Sequence, residues 1–189
     1  MEAISVLKKD HRMVEELFKK FEQAGDRAFK TKRRLVDEII TELSVHAAIE
    51  EQVFYPATRE AREENEEMVL EALEEHHLVK LALSELEKMD PADERFTAKV
   101  TVLIENVRHH VKEEEGQMFP KVRKAMKPDD LARLGEELEE AKESAPTRPH
   151  PAAPDQPPGN VVAGSMAAVM DAGKDAVRGV KEEIRRRRG

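Results

Sequence analysis

The chain has 189 residues with no cysteine, no tryptophan, 4% aromatic residues and 38% charged residues, the size of one ordinary domain with room for an appendage. The absence of cysteine excludes disulfides, thiolate zinc sites, Cys-ligated iron–sulfur clusters and Cys nucleophiles, so any metal must be held by His, carboxylate or backbone oxygen. The net charge of −8 is uneven, with +3 on residues 161–189, zero on residues 144–160 and −11 on residues 1–143; the acidic main body repels phosphate backbones and is not expected to bind nucleic acid.

No apolar run approaches the roughly 18 to 20 residues that span a bilayer, and the N-terminus MEAISVLKKDH lacks an apolar signal region. The expectation is a cytoplasmic protein that is not transmembrane.

In chain order, Gly25-Asp26, Pro56, Asp90-Pro91 and Pro120 with Pro128 separate four long stretches rich in Glu, Leu, Lys, Ala and Val. Apolar residues recur at helical spacing in each. The stripes are Ile4, Leu7, Val14, Phe18 and Phe21, then Leu35, Ile39, Leu43 and Val53, then Val69, Leu73, Leu83 and Leu86, then Val100, Leu103 and Val107. Asp90, Pro91 and Asp93 predict the start of the fourth helix as N-cap, first helical residue and capping-box acid. Short connections favour antiparallel neighbours, so the fold class is all-α, an up-down-up-down four-helix bundle.

A fifth, shorter helix is expected from about Asp129 to Lys142, with Leu131, Leu134 and Leu138 lying back on the bundle. Residues 144–160 hold six of the ten prolines and predict an extended, disordered linker. This gives a domain over residues 1–143, a linker over 144–160 and a basic tail over 161–189. In the tail, Met166, Met170, Val177, Val180 and Ile184 form a weak amphipathic stripe ahead of Arg185–Arg188, with a partner that the sequence does not identify.

Six of the seven histidines fall in the bundle. His46 and Glu50 are one helical turn apart on the stripe Ile39, Leu43, His46, Glu50, Val53, so both reach one point beside the helix. Pointing an imidazole and a carboxylate into a core is costly unless something binds them, and a metal ion does so. The fourth helix repeats the arrangement: HAAIEEQVFYP from His46 and HVKEEEGQMFP from His110 share His, two consecutive Glu, an aromatic residue and Pro at a separation of 64 residues. Asp10-His11 and Glu75-His76 match at 65 residues, so a half-bundle occurs twice.

The repeat also decides the register. His110 and Glu114 continue the stripe of Val100, Leu103 and Val107, while His109 and Glu113 do not. His76 likewise continues Val69 and Leu73, while His77 lies off that face, so His77 and His109 are read as solvated or supporting residues. Phe54-Tyr55 and Met118-Phe119 are read as capping the bundle end. The candidate metal ligands are His11, His46, Glu50, His76, His110 and Glu114. Four imidazoles and two carboxylates exceed a tetrahedral zinc site and suit two first-row ions bridged by the carboxylates, with iron or manganese favoured over magnesium or calcium.

The pattern His11, His46-Glu50, His76, His110-Glu114, with an aromatic-Pro pair after each His-x3-Glu, resembles the hemerythrin-like family of HHE cation-binding domains over about residues 5–125. The resemblance implies a left-handed four-helix bundle and two non-haem iron ions joined by the two Glu and an oxo or hydroxo group, with manganese or zinc as other occupants. It implies a small diatomic ligand or peroxide as partner. Oxygen-carrying members have a second His one turn after the first in the third helix, where this chain has Lys80, and the equivalent position on the first helix is Glu15. That departure turns the expectation from reversible O₂ transport toward binding or sensing of O₂, NO or related oxidants, or iron handling. The alternative is an oxidoreductase turning over peroxide or NO, and the third reading is a structural bundle with vestigial ligands. Glu15, on the first helix, is an alternative ligand, but a rim salt bridge between Glu15 and Lys80 is the expectation.

Overall fold

The computed structural model describes residues 1–62, 65–161 and 163–173. The tail positions Val177, Val180, Ile184 and Arg185–Arg188 lie outside the described residues.

Among the described residues the regular structure is all helical, with the four expected long helices. These are α1 (Ala3–Gln23), α2 (Phe29–Ile49), α4 (Glu66–Lys88) and α5 (Phe96–Glu113). α2 runs through a π turn, Glu50–Phe54, into α3 (Tyr55–Ala61), and α5 runs through a second, Glu114–Met118, into α6 (Phe119–Ala125). No described helix is long and apolar enough to cross a membrane.

α1 carries the strongest apolar stripe, and its side chains divide between two layers of core. Ala3, Ile4 and Leu7 pack with Ile49, Phe54, Val69, Leu73, Phe119 and Val122. Val14, Leu17, Phe18 and Phe21 pack with Leu35, Ile39, Leu43, Leu83, Leu86, Phe96 and Leu103. His11 lies between Leu7 and Val14, so a polar layer is held between two dry ones and its side chains have little freedom to reorient.

The fourth long helix starts later than the sequence suggests. Asp90 accepts from the backbone N–H of Ala92 and Asp93 from that of Arg95, both at 2.8 Å. Two successive Asx turns thus use the carboxylates locally, and the helix begins at Phe96.

α7 (Pro128–Glu143) is the expected fifth helix, with Leu131, Leu134 and Leu138 buried. It lies close to α1, because a Cβ on Gly135 would come within 2.9 Å of the Ala3 nitrogen. The Pro-rich segment carries only turns over residues 145–158, as its prolines dictate, and it lies against the bundle. Arg59 donates to Gln156 (3.2 Å), and Asn160 Nδ2 donates to the Glu51 carbonyl (3.0 Å). Residues 159–161 and 163–173 are helical. This helix turns Ala167 and Asp171 inward and leaves Met166 and Met170, the first two residues of the expected stripe, exposed. Asp171 is buried and accepts from the Arg148 backbone (3.2 Å) and His150 Nε2 (3.0 Å), which fixes this face.

Candidate metal centre

All six singled-out residues are brought together. His11, His46, Glu50 and Glu114 form one group of converging donor atoms, and Glu50, His76 and His110 form an adjoining one. His77 is half-buried outside both groups. His109 is exposed, with Nε2 at 3.8 Å from Glu75 and 3.6 Å from Glu113.

The four histidines present Nε2 to the interior. Nε2 of His11 and His46 are 3.2 Å apart, as are those of His76 and His110. Glu50 Oε2 lies 3.2 Å from His46 Nε2 and 3.4 Å from His76 Nε2, spanning both groups. Glu114 Oε2 lies 3.2 Å from His11 Nε2 and 3.6 Å from His110 Nε2, spanning them from the other side.

The outward nitrogens fix the tautomers. Nδ1 of His11 faces Glu115 (2.9 Å), Nδ1 of His76 faces Glu51 (3.0 Å) and Nδ1 of His110 faces Glu75 (2.7 Å). Nδ1 of His46 faces Asp10 at a wider 3.6 Å. An ionised carboxylate only accepts, so Nδ1 is the donor and each Nε2 turns a lone pair inward. Each half uses the same scheme. The acid after the inward Glu (Glu51, Glu115) and the acid before the lone His (Asp10, Glu75) each hold one imidazole. Sequence reading found these paired acids in the repeat without giving them a role, which only the packing of one half against the other supplies.

Beyond them stand lysines. Lys80 Nζ binds both oxygens of Glu51 (2.8 and 3.0 Å), Lys142 binds Asp10 (2.8 Å) and Lys8 binds Glu115 (3.0 Å). The expected pair between Glu15 and Lys80 is therefore not formed. Lys80 is claimed by the buried Glu51, while Glu15 binds Arg108 (2.9 Å), which also binds Glu22 (2.8 Å).

Tyr55 is the residue the sequence reading missed. Its buried hydroxyl donates to Glu114 Oε1 (3.0 Å) and lies 3.2 Å from His76 Nε2. In an α-helix Tyr55 would stand about 140° away from Glu50, five residues before it. The π turn closes i to i+5, with the Tyr55 N–H bonded to the Glu50 carbonyl, and so carries Tyr55 round to the same face. Phe119 is its counterpart 64 residues on and stacks on His11 with ring centroids 5.8 Å apart. The aromatic pairs thus do more than cap the bundle, since one ring of each lines the centre.

The electrostatics show a site short of positive charge. Burial, with Glu114 opposite, pushes the Glu50 carboxyl well above the usual range. Burial acts on Glu114 as well, but His110 and His11 hold its carboxyl low. Burial lowers His46 to about 4 and also lowers His76. His110 is the exception, because Glu114 and Glu75 outweigh its burial and raise it. Burial and the neighbouring carboxylates raise the Tyr55 phenol well above its ordinary value. Both oxygens of Glu50 and Oε2 of Glu114 are buried without a hydrogen-bond partner among the described residues. Four lone pairs and these orphaned oxygens converging in a dry core repel one another unless a cation lies between them. The spacings suit one. Donors bound at about 2.1 Å stand roughly 3.0 to 3.4 Å apart in octahedral or tetrahedral geometry.

The cluster is reachable. A cleft of about 770 Å³ between α1 and α5 ends on His11, His46, His76 and His110.

Comparison with known proteins agrees with the fold and with a cation-binding domain. The hemerythrin HHE cation binding domain profile matches residues 2–122. A hemerythrin-like protein of Schizosaccharomyces pombe is 32% identical over 168 residues, covering 88% of this chain and 82% of that protein. A DNA nickase of Nostoc is 27% identical over 137 residues, covering 72% of this chain but only 38% of the nickase. The crystal structure of a hemerythrin HHE cation binding domain-containing protein from Mycobacterium kansasii superposes with a TM-score of 0.65 at 26% identity, covering 76% of this chain and 86% of that one. The chain belongs to the hemerythrin family of HHE cation-binding domains.

Proposed function

We propose that the chain is a non-haem di-iron protein that binds or senses O₂, NO or related small oxidants, or handles iron. The observation that carries this reading is the pair of adjoining donor groups: four inward imidazole lone pairs and two carboxylates spanning both groups, every imidazole backed by an acid. His11 and His46 would hold one ion and His76 and His110 the other, with Glu50 and Glu114 shared between them. Tyr55 stands beside His76 and Glu114 as a seventh donor residue. Imidazole and carboxylate together favour iron over the harder magnesium and calcium, and manganese and zinc remain competitors for the same groups.

Iron bound there would supply electrons to a diatomic molecule or a peroxide. The protein's own part is to orient the ligands, to fix the imidazole tautomers through Asp10, Glu51, Glu75 and Glu115, and to exclude bulk water with the two apolar layers, whose burial favours neutral His46 and His76. Lys80 occupies the place of a further imidazole and is turned away onto Glu51, which leaves the ion held by His76 and His110 with fewer protein ligands. The open cleft favours a second reading, an oxidoreductase that turns over peroxide or NO at the same centre. The −11 charge over residues 1–143 gives no support to a DNA-directed role.

The test is iron, manganese and zinc per chain after growth in iron-replete medium. About two irons per chain are expected, one for each donor group. His46→Ala and Glu114→Ala should each lose metal, and Tyr55→Phe should keep iron while changing the visible spectrum of the ferric protein. Little or no metal after anaerobic ferrous loading would overturn the reading, as would full iron in both ligand variants. Multiple-turnover assays with peroxide and NO on the loaded protein separate the two functions.

A further inference from the structure

A duplicated half-bundle leaves two equivalent clefts beside the histidine layer. The 64-residue offset maps Ala47 onto Val111, Glu51 onto Glu115 and Gln52 onto Gly116. The first of these clefts, at Ala47, Glu51, Gln52 and Lys80, is roofed by Pro146, His150, Asn160, Gly164 and Ala167 and retains only about 40 Å³. The second has no described segment over it and holds about 770 Å³.

That volume far exceeds what the passage of a diatomic molecule or a peroxide needs. Such a molecule needs little more than the ~30 Å³ that a water occupies in the liquid, whereas clefts of about 300 to 1,000 Å³ with apolar walls hold organic ligands. The walls are Val14, Phe18, Leu43, Val79, Val107 and Val111, and the floor is the four histidines. The rim is charged, and most of its charges are spoken for. Arg108 is bound to Glu15 and Glu22, Lys19 to Glu16, and Glu115 to Lys8 and His11. Arg12 and Lys112 also line the cleft, are exposed, and form no ion pair with any described residue. An apolar trough with two uncommitted cations at its edge matches a guest with a hydrocarbon body and an anionic head.

We propose that the α1/α5 cleft binds an elongated apolar molecule with an anionic head, a medium-chain carboxylate in its simplest form, its chain along the valine wall toward the histidines and its head at Arg12 and Lys112. The apolar walls, Arg12 and Lys112 are not among the six candidate ligands, so the head and most of the chain have their contacts whether or not the histidine floor holds an ion.

Titration of decanoate into the full chain by calorimetry tests it, with metal content measured on the same sample. Saturable one-to-one binding is expected, with affinity rising about fourfold per methylene from octanoate to decanoate. Gly116→Phe places a ring in the cleft mouth without displacing anything, because a Cβ there meets nothing within 4 Å. It should weaken decanoate about tenfold or more. Val111→Phe, on the apolar wall itself, should do the same. Arg12→Ala with Lys112→Ala should weaken decanoate and leave decanol unchanged. No saturable binding, or binding indifferent to both filling variants, would overturn the proposal. So would a concentration-dependent dimer that binds no decanoate, which would assign the cleft to a second copy of the chain. A metal-free sample that binds decanoate counts against the di-iron reading alone.

Discussion

The two halves of the bundle carry the same histidines, the same inward glutamates and the same supporting acids, yet their flanks differ. Around His76, Glu51 is buried, binds the buried Lys80 and lies beneath the C-terminal segment, whose Asn160 takes its carbonyl. Pro56, five residues on, has no N–H to give to that carbonyl, which leaves it free for Asn160. Around His11, Glu115 binds Lys8 at the surface beside an open cleft, with about a third of each side chain exposed. Duplication thus supplied two equal sets of candidate donors, and the C-terminal segment covers one flank and leaves the other accessible. Charge chemistry that is similar on paper should have very different energetic weight on the two sides.

The sharpest way to break that comparison is the pair Glu51→Ala and Glu115→Ala. Removing Glu51 leaves the buried Lys80 uncompensated and should cost about 3 to 5 kcal/mol in urea denaturation. The corresponding loss at Glu115 should be the smallest effect of the series.

Acid is the next largest effect, in protein stripped of metal. His46 has its folded value lowered to about 4 against 6.5 unfolded. Below 6.5 the unfolded chain therefore binds more protons, and stability falls with pH down to about 4, by roughly 3 kcal/mol from this group. His76 acts in the same direction, and His110, whose value is raised, acts in the opposite one. Asp10, Glu51 and Glu115 have lowered values, so their contribution is present above 3.8 to 4.5 and is lost at still lower pH. His46→Gln should flatten the slope between pH 6.5 and 4. An unchanged slope in that variant would show that the loss arises elsewhere.

Asp171→Ala tests the cover itself. It removes the acceptor of His150 and of the Arg148 backbone, at an expected cost of about 1 to 3 kcal/mol. Faster hydrogen exchange around Ala47 and Glu51, with no change around Val111, would show that the segment guards one flank only. Glu115→Ala completes the series at about 1 kcal/mol, since Lys8 stays solvated and the loss is mainly the acceptor of His11 Nδ1. Equal costs at Glu51 and Glu115 would end the distinction between the flanks.

Much of the centre was legible in advance, for a physical reason. A metal ligand on a helix must share a face with the apolar stripe that buries it, so His11, His46, Glu50, His76, His110 and Glu114 were found by helical spacing, and the repeat separated His76 from His77 and His110 from His109. Tyr55 was hidden because the spacing rule assumes i to i+4 bonding, and the π turn at Glu50–Phe54 breaks it. The start of the fourth long helix was misplaced because Asp90 and Asp93 satisfy backbone N–H groups within a turn as readily as at a helix N-terminus.

The sequence by itself determined the helices, their inward faces and the six aligned donors, since these follow from local periodicity and from a repeat that can be read along one strand of text. Tertiary structure decided which acid backs which imidazole, that Lys80 serves Glu51 instead of Glu15, and that one cleft is covered while its twin is open. Those outcomes depend on distances between segments remote in the chain, such as the 109 residues from Glu51 to Asn160. Side chains there compete for partners that no local pattern specifies, and the competition is settled only when the elements pack.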